Sequence, residues 1–167
     1  MVNAFFVWLE RNISTLTELN ILGGEPFYQP ELELMLDFLE TCPTPDLELR
    51  VFSNLKVSKD KFNKILHRLQ SFIKNKTVKS VELISSIDCW GPQQEYIRNG
   101  INLIQWEENF SDLCNNFQEI KIRTHGTITG LTIKTIAGLF EKISYYNTVR
   151  DYNRSEERRV GKECLRL

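Results

Sequence analysis

The sequence predicts an α/β fold, a parallel sheet or barrel with helices outside, and three observations carry that prediction. Short apolar runs alternate with longer segments of helical spacing from the start of the chain to about residue 150. The connections between them are short, as β-α-β units require. The strand exits are the third observation. Gly23–Glu25, Ser53–Asn54 and Ser86–Asp88 put glycine or polar groups where three strands end, and His125-Gly126 lies near the fourth. In folds of this kind, ligand-facing residues gather at the carboxyl ends of the strands.

Taken in order, residues 3 to 14 read as a helix, with Phe5, Trp8, Leu9 and Asn12 at helical spacing. Thr17 to Leu22 is the first strand, and Gly23-Gly24 removes side chains where it exits, so that backbone can approach a ligand or adopt positive φ. Glu25 adds a carboxylate there, and Pro26 ends the ladder because it has no N–H to donate. Pro30 to Leu39 is a helix with acidic Glu31 and Glu33 in its first turn and Leu32, Met35, Leu36 and Leu39 on one face. Cys42 to Pro45 reads as a loop, and Leu47 to Leu55 as the second strand.

Ser58 is placed to cap a helix whose apolar stripe is Phe62, Ile65, Leu66, Leu69, Phe72 and Ile73. Thr77 to Asp88 is the third strand. A turn over Cys89–Pro92 and a short piece over Gln93–Arg98 lead into a helix around Leu103–Phe117. Glu119 to Ile128 is the fourth strand, and Thr132 to Tyr146 a helix expected to bury Ile133, Ile136, Leu139, Phe140 and Ile143.

Composition narrows the function classes. The chain has 167 residues, 41% of them hydrophobic and 26% charged, which suits one globular domain. A formal net charge of −1 makes neither nucleic acid nor an anionic membrane a default partner. No apolar run is long enough to span a bilayer, and the start lacks a basic leader, so a cytoplasmic protein is expected. The four cysteines, Cys42, Cys89, Cys114 and Cys164, are too scattered for a local zinc or iron–sulfur clip. His67 lies on an amphipathic helix, and His125 reads as a strand-end histidine.

Leu22-Gly-Gly-Glu-Pro-Phe27, Ser53-Asn54-Leu55, Ser86-Ile-Asp88 and Glu95-Tyr-Ile-Arg-Asn-Gly100, in that order on successive units, resemble the radical S-adenosylmethionine (radical SAM) enzymes. The similarity is to the branch with a twitch, or short SPASM-like, domain, many of whose members come from phages and environmental sequences. It spans about two-thirds of the chain. It implies a partial (β/α)6 TIM-like barrel of about four parallel strands with outer helices, occupying residues 1–150 and corresponding to strands two to five.

The resemblance also implies a set of cofactor-binding residues. Gly23, Gly24, Glu25 and Pro26 would hold the amino group of the methionyl moiety, through backbone carbonyls and the Glu25 carboxylate. Ser86 would bond the ribose or carboxylate end, and Ser53 and Asn54 would line the ribose side. Arg98 would pair with the cofactor carboxylate, a task suited to its planar fork of donors. Asp88 would touch substrate or serve the turn. The plainer readings make Ser53 and Ser86 strand-end caps, Arg98 an ion-pair partner of Glu95, and Cys89, where the family commonly has Gly, a small structural thiol.

In the family, three cysteines of a CxxxCxxC loop hold a [4Fe–4S] cluster, at which S-adenosylmethionine is cleaved to a 5′-deoxyadenosyl radical that takes hydrogen from a substrate. Here that loop is missing, and Cys42, Cys89 and Cys114 follow different elements. The sequence therefore reads as an inactive fragment of such an enzyme, acting in intact form on an unknown peptide or small molecule. The alternative is a non-catalytic S-adenosylmethionine-binding domain that has lost its cluster. Residues 151–167 have no apolar periodicity; they read as a disordered tail and resemble adapter-derived sequence at the ends of broken reading frames.

Overall fold

The computed structural model describes residues 2–149, so the tail expected at 151–167, with Cys164, lies outside the described residues. The chain runs α1 (Val2–Asn12), β1 (Glu18–Ile21), α2 (Pro30–Thr41), β2 (Thr44–Ser53), α3 (Lys59–Lys74), β3 (Val78–Ser86), α4 (Pro92–Ile97), α5 (Leu103–Asn116), β4 (Lys121–His125) and α6 (Ile136–Val149). The four strands form one sheet in chain order, β1-β2-β3-β4, and every neighbouring pair is parallel. The predicted α/β alternation is the observed one. No helix among the described residues is long and apolar enough to cross a membrane.

The register sorts the strand residues into two faces. Ile21, Val51, Leu83 and Ile122 lie side by side in one row, with Leu19, Leu49 and Val81 one step earlier. These residues belong to or pack against a single apolar core shared with the helix stripes: Leu32, Leu36 and Leu39 of α2, Phe62, Ile65, Leu66, Leu69 and Phe72 of α3, and Trp106, Phe110 and Leu113 of α5. Trp106 is fully buried, stacks on Phe110 at 4.5 Å and donates its indole N–H to the Ser85 hydroxyl at 2.9 Å. That bond satisfies two polar groups inside the core at once.

The opposite face is charged. Asn20, Arg50, Glu82 and Lys121 share a row. Arg50 reaches Glu18 at 2.7 Å, Glu82 at 3.1 Å and Glu48 at 3.6 Å, while Arg123 holds the other Glu82 oxygen at 2.9 Å. Lys79 bonds Glu48 and holds its carboxyl below the usual range, aided by the charges of Lys121 and Arg50.

Several boundaries differ from the pattern-based expectation, each for a local reason. β2 starts at Thr44, inside the expected loop, because Thr44 N–H bonds Thr77 O at 2.7 Å; a register shift before Glu48 accommodates Pro45 beyond the reach of β1. β4 ends at His125, since Gly126 and Thr127 turn back onto the exit of β3. The last helix begins at Ile136 rather than Thr132: the buried Thr132 hydroxyl takes the Thr129 N–H and closes turns over 129–135, leaving Ile133 60% exposed rather than buried. In α1, Phe5 and Trp8 are about half exposed, and Leu9 and the following Ile13 are the buried contacts.

Both outer strands keep a free edge among the described residues. Glu48 N–H bonds Thr17 O, so alternate residues Glu18 and Asn20 turn their backbone groups away from β2. Ile87 N–H bonds His125 O, so Ile122 and Thr124 turn theirs away from β3. Such edges template pairing with other chains. The full chain is expected to self-associate with rising concentration in sedimentation velocity, and Asn20→Pro and Thr124→Pro to reduce this without removing a ladder bond. A single monomeric species across the concentration series would contradict it.

Candidate functional site

The strand ends predicted to matter gather into two clusters. The first joins β1 to β2. After Ile21 the chain passes through Gly23 (φ +103°) and Gly24 (φ +55°), conformations that side-chain-bearing residues rarely adopt. A Cβ on Gly24 would also lie 2.9 Å from Gln29 Nε2, whose amide donates to Gly23 O at 3.3 Å. Pro26 then opens a single 3-10 turn over Pro26–Tyr28, and buried Phe27 packs on Phe62, with ring centroids 5.5 Å apart. That turn aims the Glu25 side chain across to the end of β2.

There Glu25 Oε1 accepts from Ser53 Oγ at 2.8 Å and from Phe27 N–H at 3.3 Å, and Oε2 accepts from Asn54 N–H at 2.7 Å. Ser53, almost wholly buried, also accepts the Leu55 N–H at 2.9 Å, and the Asn54 side chain accepts the Lys56 N–H at 2.9 Å. Burial pushes the Glu25 carboxyl up, and the bonds from Asn54, Ser53 and Phe27 counter only part of that push. None of its three donors carries a charge.

The second cluster joins β3 to β4. Asp88, 5% exposed, accepts from Arg98 Nε at 2.5 Å, from Arg98 Nη2 at 3.0 Å and from Thr127 N–H at 2.7 Å. Burial alone would raise this carboxyl; the Arg98 and Thr127 bonds, with the charges of Arg98 and His125, outweigh it and hold it below the usual aspartate range. Gly126 makes the approach possible, since a Cβ there would stand 2.2 Å from Ile87 O.

Each predicted residue can now be placed. Gly23, Gly24, Glu25, Pro26, Ser53 and Asn54 form the first cluster, and Asp88 and Arg98 the second. Ser86, half-buried at the end of β3, sits in register with His125 on the charged face; no protein partner for its hydroxyl occurs among the described residues. Arg98 pairs with Asp88 rather than Glu95, which instead accepts the Leu103 N–H. Cys89 is fully buried, Cys114 lies in the core and Cys42 follows α2, so the three thiols stand apart. Among the described residues no three His, Cys, Asp or Glu side chains are grouped to hold a metal ion.

Pattern reading missed three residues that build these clusters. Gln94, wholly buried in α4, accepts the N–H groups of Asp88 and Cys89 at 2.9 and 3.0 Å. Thr127 is the backbone donor to Asp88. Asn109 of α5 bonds two carbonyls of the β2 exit. A polar residue interrupting an apolar helix stripe, as Asn109 does between Trp106 and Phe110, was the available signal.

The chain matches no protein-family model, no curated protein and no solved structure.

The two carboxylates titrate in opposite senses. The folded protein takes up the Glu25 proton at higher pH than the unfolded chain, so ionising Glu25 lowers stability as pH rises from the ordinary glutamate range through its raised value. Asp88 contributes stability that is complete above the ordinary aspartate range and is lost as pH falls through its lowered value. Urea midpoints measured against pH should show Glu25→Gln removing the first slope and Asp88→Asn the second. Asp88→Asn should also cost about 1–3 kcal/mol at pH 7 by leaving Arg98 and Thr127 poorly matched. Gly126→Ala, which drives a methyl into Ile87 O, should cost a similar amount, about 1–3 kcal/mol.

Proposed function

We propose that this chain is part of a radical S-adenosylmethionine enzyme, and that its own task is to hold S-adenosylmethionine at the carboxyl end of a partial (β/α)6 TIM-like barrel. The observation that carries this reading is the Glu25–Ser53–Asn54 junction. It joins motif residues from two separate β-α units into one rim and leaves the side-chain direction of Gly23 open beside it.

The residues fit the cofactor. Nothing stands within 4 Å of where a Gly23 side chain would project, so a ligand can approach the backbone there. Glu25 Oε2 has a single protein donor and retains a lone pair for the methionyl ammonium, alongside the glycine carbonyls. Arg98 spends Nε and one Nη2 hydrogen on Asp88, which leaves Nη1 to meet a carboxylate. The Ser86 hydroxyl and the Asn54 amide supply the remaining polar contacts for a ribose. Gly23–Glu25, Ser86 and Arg98 would bind and orient S-adenosylmethionine, whose radical chemistry would need a reduced iron–sulfur cluster beside it.

A [4Fe–4S] cluster does not fit the described residues. Cys42, Cys89 and Cys114 follow different elements and do not converge. That same separation favours the second reading, a domain that binds S-adenosylmethionine without cleaving it. A substrate, peptide or small molecule, would meet the cofactor at the same mouth.

Isothermal titration of the full chain with S-adenosylmethionine tests the first claim. Saturable binding is expected, and Ser86→Ala should weaken it about five- to tenfold, the loss of roughly one hydrogen bond, without moving the melting temperature. Absence of binding at millimolar ligand would overturn the assignment. Anaerobic treatment with iron and sulfide should leave no stable cluster absorption; a stable spectrum would overturn the claim that the cluster ligands lie elsewhere.

A further inference from the structure

The exit of β2 contains a conformation that the local sequence does not favour. Leu55 has φ +55° although it is not glycine, and its side chain is fully buried. The left-handed region is costly for such a residue and persists only where surrounding contacts enforce it. Two contacts come from within the loop: Leu55 N–H on Ser53 Oγ at 2.9 Å, and Lys56 N–H on Asn54 Oδ1 at 2.9 Å. The third comes from α5. Asn109, 1% exposed, donates its amide to both Leu55 O and Val57 O at 2.9 Å, and neighbouring Gln105 adds a bond to Val57 O at 3.0 Å.

The consequence lies on the other side of the loop. The same turn directs Asn54 N–H onto Glu25 Oε2 and leaves Ser53 Oγ between Glu25 and Leu55 N–H. We propose that Asn109 is the positioning residue of the mouth: by gripping the carbonyls on either side of Lys56, it holds Leu55 left-handed and thereby keeps Ser53 and Asn54 on the Glu25 carboxylate. Asn109 touches no ligand and acts entirely through the loop. Its relevance to binding rests on the function proposed above, whereas the positioning itself does not.

The test reads the loop directly by NMR, without ligand. In the wild-type chain, the Asn109 side-chain amide protons and the Asn54 backbone amide should exchange with solvent slowly and at matching rates, because one opening exposes both. Asn109→Asp keeps the shape but sets a carboxylate against two carbonyls. It should speed Asn54 exchange about tenfold or more and shift the Glu25 titration further upward as the Asn54 bond is lost. Adding Leu55→Gly, which takes the left-handed conformation freely, should restore much of the Asn54 protection.

A lower melting temperature with Asn54 exchange and Glu25 titration unchanged would overturn the proposal and leave Asn109 a packing residue. Should Asn109→Asp fail to fold, unmatched exchange of the two groups in the wild-type chain decides against it. Failure of the wild-type chain to bind S-adenosylmethionine would count against the function and leave these readouts intact.

Discussion

The carboxylate of Glu25 is the constraint on which the rest of the mouth depends. A half-buried carboxylate without an ionic partner loses hydration that only hydrogen bonds can replace. Here the replacements come from the Phe27 N–H on its own loop and from Ser53 and Asn54 on the next strand's exit. Satisfying the charge therefore fixes the distance and orientation between two β-α units. It also dictates the local sequence: glycines at positions 23 and 24 to turn the chain, and a proline and buried Phe27 to anchor the turn that aims the side chain.

Asp88 repeats the device on the neighbouring pair of strands with different chemistry. Its partner is a cation, so the charged form is favoured and its pKa moves down, whereas Glu25, with only neutral donors, moves up. Asn109 ties α5 to the loop that carries Ser53 and Asn54. Gln94 does the same for the backbone at Asp88 and Cys89. Side-chain amides of α4 and α5 thus set the backbone at the carboxyl end of the sheet.

How much of this the sequence disclosed depends on the range of the interaction. The strands through Leu19, Leu49 and Leu83 and the helix stripe from Phe62 to Phe72 were legible because their periodicity is local. Glu25 with Ser53 and Asn54 was legible as a set of strand-exit residues, though not as a bonded junction 28 residues apart. Arg98 shows the limit: Glu95 is three residues away and suits a helical pair, yet the chain leaves α4 at Ile97, and the guanidinium swings back to Asp88. The end of β4 and the turns before α6 depend on Gly126 meeting Ile87 O and on the Thr132 hydroxyl, contacts that no residue pattern announces.

The charged face of the sheet bears on the larger architecture. Parallel sheets are usually covered on both faces, and a bare face would normally be apolar and unstable in water. Here Arg50 is shared among Glu18, Glu48 and Glu82, Arg123 takes the second oxygen of Glu82, and Lys79 binds Glu48. The row is an ionic lattice with each carboxylate engaged, bounding a recess of about 110 Å³ along Arg50, Glu82 and Arg123. A face with its charges matched in this way tolerates water and polar ligands. Ser86 and His125 lie on this same face, one alternate step beyond Ile84 and Arg123, and among the described residues no protein group holds the Ser86 hydroxyl.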